Sequence, residues 1–250
     1  MLREERLQVI LKMLDLNQRV SSVELAEMLN VSDDTIRRDL NELAENGLLK
    51  KVHGGAIPKS PTSPYKLTER VNIAHEEKLE LARKVQDYFK DGQVILLDNG
   101  STNMEVARLM RPDLKATVFT TSIPIAQILC EHPNINLFIL GGRVFKDAQN
   151  TFGTEVIELL SKIRADICIL GICGVHQGIG MTIPDWGEAV VKRKMVAISK
   201  QVIALVTSDK LNTAESYIVC SFDELDMMLV DDTIDAEQLA RYKELGLTIV

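Results

Sequence analysis

A helical run at residues 33–45 carries two kinds of surface. Ile36, Leu40 and Leu43 repeat at helical spacing and make one apolar face, while Asp34, Thr35, Arg37, Arg38 and Asn41 stand on the other. A guanidinium is a planar fork that matches the acceptor edge of guanine in the major groove, and an asparagine amide matches adenine. Ser32 and Thr35 lie at the helix start, where hydroxyls and free backbone N–H groups meet phosphate. Lys50, Lys51 and His53 add charge a few residues further on. These types at this spacing point to duplex DNA read by one helix. The bland alternative is a solvated helix face on a small docking module.

A second set sits later in the chain, where several apolar runs end in small polar residues. Leu97-Asp98-Asn99-Gly100-Ser101-Thr102 closes one run, Thr120-Thr121-Ser122 the next, Leu140-Gly141-Gly142 a third and Leu170-Gly171 a fourth. Glycine lets backbone approach a ligand closely, and N–H groups at helix starts favour an anion. Further on, Asp185 precedes Glu188 and Lys192, which are four apart and share a helix face. That pair suits either an ordinary surface ion pair or a polar clamp on sugar hydroxyls and phosphate. Asp209-Lys210 closes another run and brings a further ammonium group. One such loop alone is ordinary turn chemistry. Four in register fit a phosphorylated small molecule.

Other chemistries lack their patterns. The nucleotide motifs G-x-x-x-x-G-K-[ST] and G-x-G-x-x-G do not occur. The histidines are scattered, and Cys168 and Cys173 have no partner pair at zinc spacing, so neither a metal nor a cofactor is expected.

The elements that must position these residues fall into two parts. At the start, Leu7, Ile10, Leu11 and Leu14 trace a helix, and Ser21 with Glu24 forms a capping box before a second. Ser32 opens the third helix, and Gly47 suits the left-handed position past its end. Two short extended pieces around Gly54-Gly55 make a wing, completing a winged helix-turn-helix over residues 1–57. Three of the seven prolines, Pro58, Pro61 and Pro64, then mark residues 58–74 as an extended, semi-rigid linker. From 75 to 250, continuous apolar runs at 94–97, 117–120, 137–140, 167–170, 202–206 and 227–230 alternate with helical stretches. That is the pattern of a mostly parallel sheet covered on both faces, an α/β domain.

Charge does not give the function away. The chain of 250 residues has a net charge of -7, and its first 60 residues hold nine basic against ten acidic groups. A strongly basic domain is therefore excluded, and any DNA contact must come from a local cluster diluted by Asp33, Asp34 and Asp39. A single copy should bind DNA weakly, so a homo-oligomer, dimer or tetramer, is expected to set two recognition helices on repeated half-sites. No apolar run reaches the roughly 18 residues of a membrane span, and the charged start at residues 1–6 is unlike a signal peptide, so a cytoplasmic protein is expected.

The residues Ser32-Asp-Asp-Thr-Ile-Arg-Arg-Asp-Leu40, Gly47-Leu-Leu-Lys50 and His53-Gly-Gly-Ala56, with Arg6 and 20–29, resemble the DNA-binding domain of the DeoR family of bacterial transcriptional regulators. The resemblance continues through Asp98-x-Gly100-Ser101-Thr102, Thr121-x2-Pro124, Gly141-Gly142, Gly171-x-x-Gly174, Glu188-x3-Lys192 and Asp209-Lys210. In the family, extra residues usually separate the acid from the lysine at the last site. The resemblance implies a sensor domain similar in fold to ribose phosphate isomerases. It also implies an operator as DNA partner, a small phosphorylated sugar as effector, and no catalysis. The expected protein is a repressor of a sugar uptake or catabolism operon. The alternative is a sugar-phosphate isomerase-like enzyme carrying a DNA-binding module, with Glu188 or Asp98 as general base.

Overall fold

In the computed structural model, residues 3–17, 19–45, 49–52, 54–58 and 66–250 are described. The first part has α1 (Arg3–Asn17), β1 (Val20–Ser21), α2 (Ser22–Leu29), α3 (Asp33–Glu45), β2 (Leu49–Val52) and β3 (Gly55–Pro58). Ile10, Leu14, Leu25, Ile36, Leu40, Leu43 and Leu49 close one small core. Asn30, left-handed at φ 51°, turns α2 into α3. Val52 pairs with Gly55, so Gly55 belongs to the wing strand and not to the turn as expected, while Gly54 bends the chain at φ +78°. A third wing strand, the two-residue β1, pairs with β3 and is too short to show a strand pattern in sequence. Gly47 and His53 lie outside the described residues.

The larger part begins earlier than expected. Instead of staying extended to residue 74, the chain forms α4 (Leu67–Arg70) before α5 (His75–Lys84). Leu67 is buried in the core of the large domain, and its N–H donates to the Asp147 carbonyl at 2.8 Å. An apolar side chain with a place in the core outweighs the proline-rich run before it.

Beyond α5 the order is β4 (Val94–Leu97), α6 (Ser101–Leu109), β5 (Ala116–Thr120), α7 (Ile123–Leu129), β6 (Ile135–Ile139), β7 (Arg143–Phe145), β8 (Asn150–Phe152) and α8 (Thr154–Leu160). Then follow β9 (Ile167–Leu170), β10 (Gly174–His176), β11 (Gly180–Ile183), α9 (Trp186–Ala197), β12 (Val202–Val206), β13 (Tyr217–Cys220), β14 (Met227–Val230), α10 (Ala236–Lys243) and β15 (Thr248–Ile249). Seven strands form one parallel sheet in the order β15-β14-β12-β9-β4-β5-β6. Apolar clusters cover both faces, one built with α5, α6 and α7, the other with α8, α9 and α10. A three-stranded antiparallel sheet, β10-β11-β13, and the hairpin β7-β8 stand beside it. The apolar runs carried no sign of these short strands. Among the described residues no helix is long and apolar enough to cross a membrane.

Candidate functional site

The recognition helix α3 is fixed from inside. Its Asp39 is buried and takes the Arg6 guanidinium of α1, at 2.5 Å from Nε and 3.1 Å from Nη2. Hydrogen bonding to Asp39 raises the pKa of Arg6. Asp39 therefore faces the core and does not dilute the arginines. At the helix start the Ser32 hydroxyl accepts the Thr35 N–H at 3.2 Å and meets the Thr35 hydroxyl at 2.8 Å, so both serve as a cap.

Arg37, Arg38, Asp34 and Asn41 are exposed together, as the spacing predicts. Arg37 is paired with Asp33 at 2.9 Å and Arg38 with Asp34 at 2.7 Å. Exposed i,i+4 pairs are worth only about 0.3–0.5 kcal/mol, so neither carboxylate holds its arginine firmly. The two wing lysines diverge because adjacent strand residues face opposite ways. Lys51 Nζ donates to Asn41 Oδ1 at 2.5 Å, beside the recognition helix. Lys50 Nζ instead reaches Ser216 Oγ of the large domain at 3.1 Å.

The second site forms where β4, β9 and β12 end side by side. Leu97 pairs with Ile169 and Ala204 with Leu170, so residues 98–102, 171–173 and 207–210 leave the sheet along one edge. Ligands of open parallel sheets bind at this edge. Gly171 is required there, since a Cβ on it would lie 2.3 Å from the Asn99 carbonyl oxygen. Gly100, at φ +141°, precedes α6 without a side-chain cap, which leaves the first-turn N–H groups of α6 without intrahelical acceptors.

The resulting cleft is narrow, with a water-accessible volume of about 40 Å³. Seven expected residues line it: Gly100, Ser101, Thr102, Gly171, Glu188, Lys192 and Lys210. Six more polar lining residues are not among the predicted ligands: Arg70, Lys78, Asn99, Asn103, Thr207 and Asp209. Beneath it Asp98, 1% exposed, accepts the N–H groups of Asn99 and Gly171 at 2.8 Å each and takes the ammonium of Lys192. Lys192 Nζ also donates to Asn99 Oδ1 at 2.9 Å. The other end of that amide donates to Glu188 Oε1 at 2.8 Å, and Asn150 Nδ2 reaches the same oxygen at 2.6 Å. Glu188 and Lys192 are thus joined through Asn99, with Asp98 as the ion-pair partner of Lys192. In sequence Asn99 is only the unspecified position of Asp-x-Gly-Ser-Thr.

Six expected residues stand outside the cleft wall. Asp98 lies under it. Asp185 caps α9 by accepting the Glu188 N–H at 2.9 Å. Thr121 and Ser122 follow β5, one strand beyond β4; the Thr121 carbonyl accepts from Thr151, and Ser122 Oγ accepts the Ile125 N–H at 3.4 Å. Gly141 and Gly142 follow β6, two strands away, and lead into the hairpin β7-β8.

Electrostatically the cleft gathers four cationic groups, Arg70, Lys78, Lys192 and Lys210. Burial pushes Lys78 down to about 8, with Lys210 adding repulsion, and burial lowers Lys210 as well. Cys173 in the wall is raised by burial and stays a thiol. The cleft thus sets four cations and amide N–H groups beside two carboxylates, Glu188 and Asp209.

Comparison with known proteins agrees with both halves. Residues 6–62 match the DeoR-like helix-turn-helix domain, and residues 73–232 match the DeoR C terminal sensor domain. The HTH-type transcriptional repressor GlcR of Bacillus subtilis is 34% identical, over 92% of this chain and 89% of its own. The HTH-type transcriptional regulator GlpR of Haloferax volcanii is 30% identical over 100% and 98%. The glycerol-3-phosphate regulon repressor of Escherichia coli is 30% identical over 85% and 84%. Among solved structures, ribose 5-phosphate isomerase A of Methanocaldococcus jannaschii aligns over 55% of each chain, about half its length, at 19% identity and a TM-score of 0.42. With a DNA-reading module in front and a sensor domain behind, the chain belongs to the DeoR family of transcriptional regulators.

Proposed function

We propose that this protein represses a carbohydrate uptake or catabolism operon and that a phosphorylated sugar in the cleft sets its grip on the operator. The observation that carries the reading is the convergence of Lys78, Lys192, Lys210 and Arg70 on the uncapped start of α6, with Glu188 opposite. Cations and N–H groups hold the phosphate, and Glu188 and Asn103 take sugar hydroxyls. Asp98 acts from beneath by holding Lys192. The names of the relatives support the regulatory half, two of them repressors and one of a glycerol-3-phosphate regulon.

The protein works as a homo-oligomer in the cytoplasm and performs no catalysis. A near-neutral reading domain needs two copies on repeated half-sites for tight binding. A melting screen against pentose and hexose phosphates and their unphosphorylated sugars tests the cleft. Only phosphorylated sugars should raise Tm, without turnover. Product formation that Glu188→Gln abolishes would establish the isomerase alternative instead.

A further inference from the structure

Resting on the cleft reading, we propose that Lys78 is a positioning residue that couples the bound anion to the strap at residues 66–74, the segment on which the DNA-reading domain is strung.

One wall of the cleft is not part of the α/β sandwich. It is supplied by Arg70 and Ile73, from α4 and the turn after it. In sequence this strap follows directly on residues 59–65 and the wing strand β3. Residues 63–72 fall between the two family matches, at 6–62 and 73–232. Residues 66–72 of the strap therefore belong to neither matched domain, and Ile73 and Ala74 open the second, whose ligand space the strap touches.

Lys78 ties the strap down. It is 4% exposed, and its ammonium donates to the carbonyl oxygen of Arg70 at 2.5 Å and to that of Ile73. An ammonium has three N–H groups. Two hold the strap, and Lys78 also lines the cleft, where the third is available to an anion. Between the two carbonyls and α5 the backbone passes through Ala74 at φ +48°, a left-handed conformation that costs an alanine energy and has to be held by its surroundings.

The strap also has an unmet need. Arg70 Nε is buried with no hydrogen-bond partner, as are Thr207 Oγ1 and Asn103 Oδ1 across the cleft, on residues 0% and 1% exposed. An anion bearing hydroxyls satisfies these atoms and fills the remaining N–H of Lys78 at once. Occupancy then draws strap, α5 and the sheet edge onto one ligand. Charge on Lys78 is held by the anion, and its two strap bonds strengthen with it.

The test is amide hydrogen exchange across residues 66–79 in the full-length protein, with inorganic phosphate as the probe and calorimetry to confirm its binding. In the wild type, phosphate should slow exchange in the strap about tenfold or more. Lys78→Met should raise strap exchange without ligand and remove the response. Lys78→Gln, whose amide still offers two N–H groups but no charge, should keep the resting protection and lose the response, and it decides the matter if the methionine variant fails to fold. Phosphate binding in calorimetry with unchanged strap exchange would overturn the coupling and leave the cleft reading intact. Wild-type strap exchange in a folded Lys78→Met would also overturn it. No heat of phosphate binding in the wild type would take down the cleft reading and the coupling with it.

Discussion

Lys192, on the third turn's approach of α9, reaches 94 residues back along the chain to the carboxylate of Asp98 at the end of β4, and both are almost wholly buried. This pair fixes the floor of the cleft, and removing one member leaves a charge without compensation. Lys192→Met should destabilise the protein by about 3–5 kcal/mol in urea titration. Adding Asp98→Asn should recover part of that loss, though not ligand binding. Additive losses in the double variant would mean the two groups do not act as a pair.

The pH dependence of effector binding follows from Lys78, whose pKa burial pushes down to about 8, with Lys210 and Arg70 lowering it and Asp209 and Glu105 opposing them. The phosphate stays dianionic above about pH 7, so only the lysines change. Affinity should hold to about pH 8 and then fall, by up to about tenfold per pH unit as the ammonium is lost. Stability without ligand runs the other way. Between about 8 and the unfolded value near 10.5 the unfolded chain binds more protons at this site, so Lys78 makes the free protein more stable as pH rises through that window. Calorimetric titrations on either side of the Lys78 value of about 8 check the first sign, and urea titrations of the free protein above it check the second.

At the DNA face the acidic partners are competitors. Arg37→Ala and Arg38→Ala should each weaken operator binding by about 1–3 kcal/mol where the arginine is bidentate to a base. Asp33→Asn and Asp34→Asn should instead tighten binding, because each frees an arginine and removes a negative charge near phosphate. Gel-shift titrations at two salt concentrations measure both. Unchanged affinity in all four variants would rule out this docking face.

Gly171→Ala places a methyl group against the Asn99 carbonyl, which is backbone and cannot swing away. The residue 98–102 loop must shift, so the variant should lose about 1–3 kcal/mol of stability and most of its effector binding, read by melting with and without sugar phosphate.

Several features of this architecture are legible in the amino-acid sequence. Six strands of the sheet announce themselves as apolar runs, and α3 shows its inward and outward faces because helical spacing is local. Strand order is not local. Nothing near Thr121 or Gly141 says that β5 and β6 lie beyond β4, away from β9 and β12, so those loops read as equals of the 98–102 loop. Arg70 and Lys78 are hidden for the same reason: they precede the first sheet strand, carry no motif, and reach the cleft only because Leu67 docks in the core. Lys50 and Lys51 read as one charge cluster, and a strand separates them onto two faces.

The most direct measurement of the central claim is operator affinity with and without a sugar phosphate, followed by fluorescence anisotropy of a labelled promoter fragment. A sugar phosphate that raises Tm should change operator affinity by about 5–150-fold, and the operator should change affinity for that sugar phosphate by the same factor. Identical operator affinity at every saturating sugar phosphate that stabilises the protein would contradict the account.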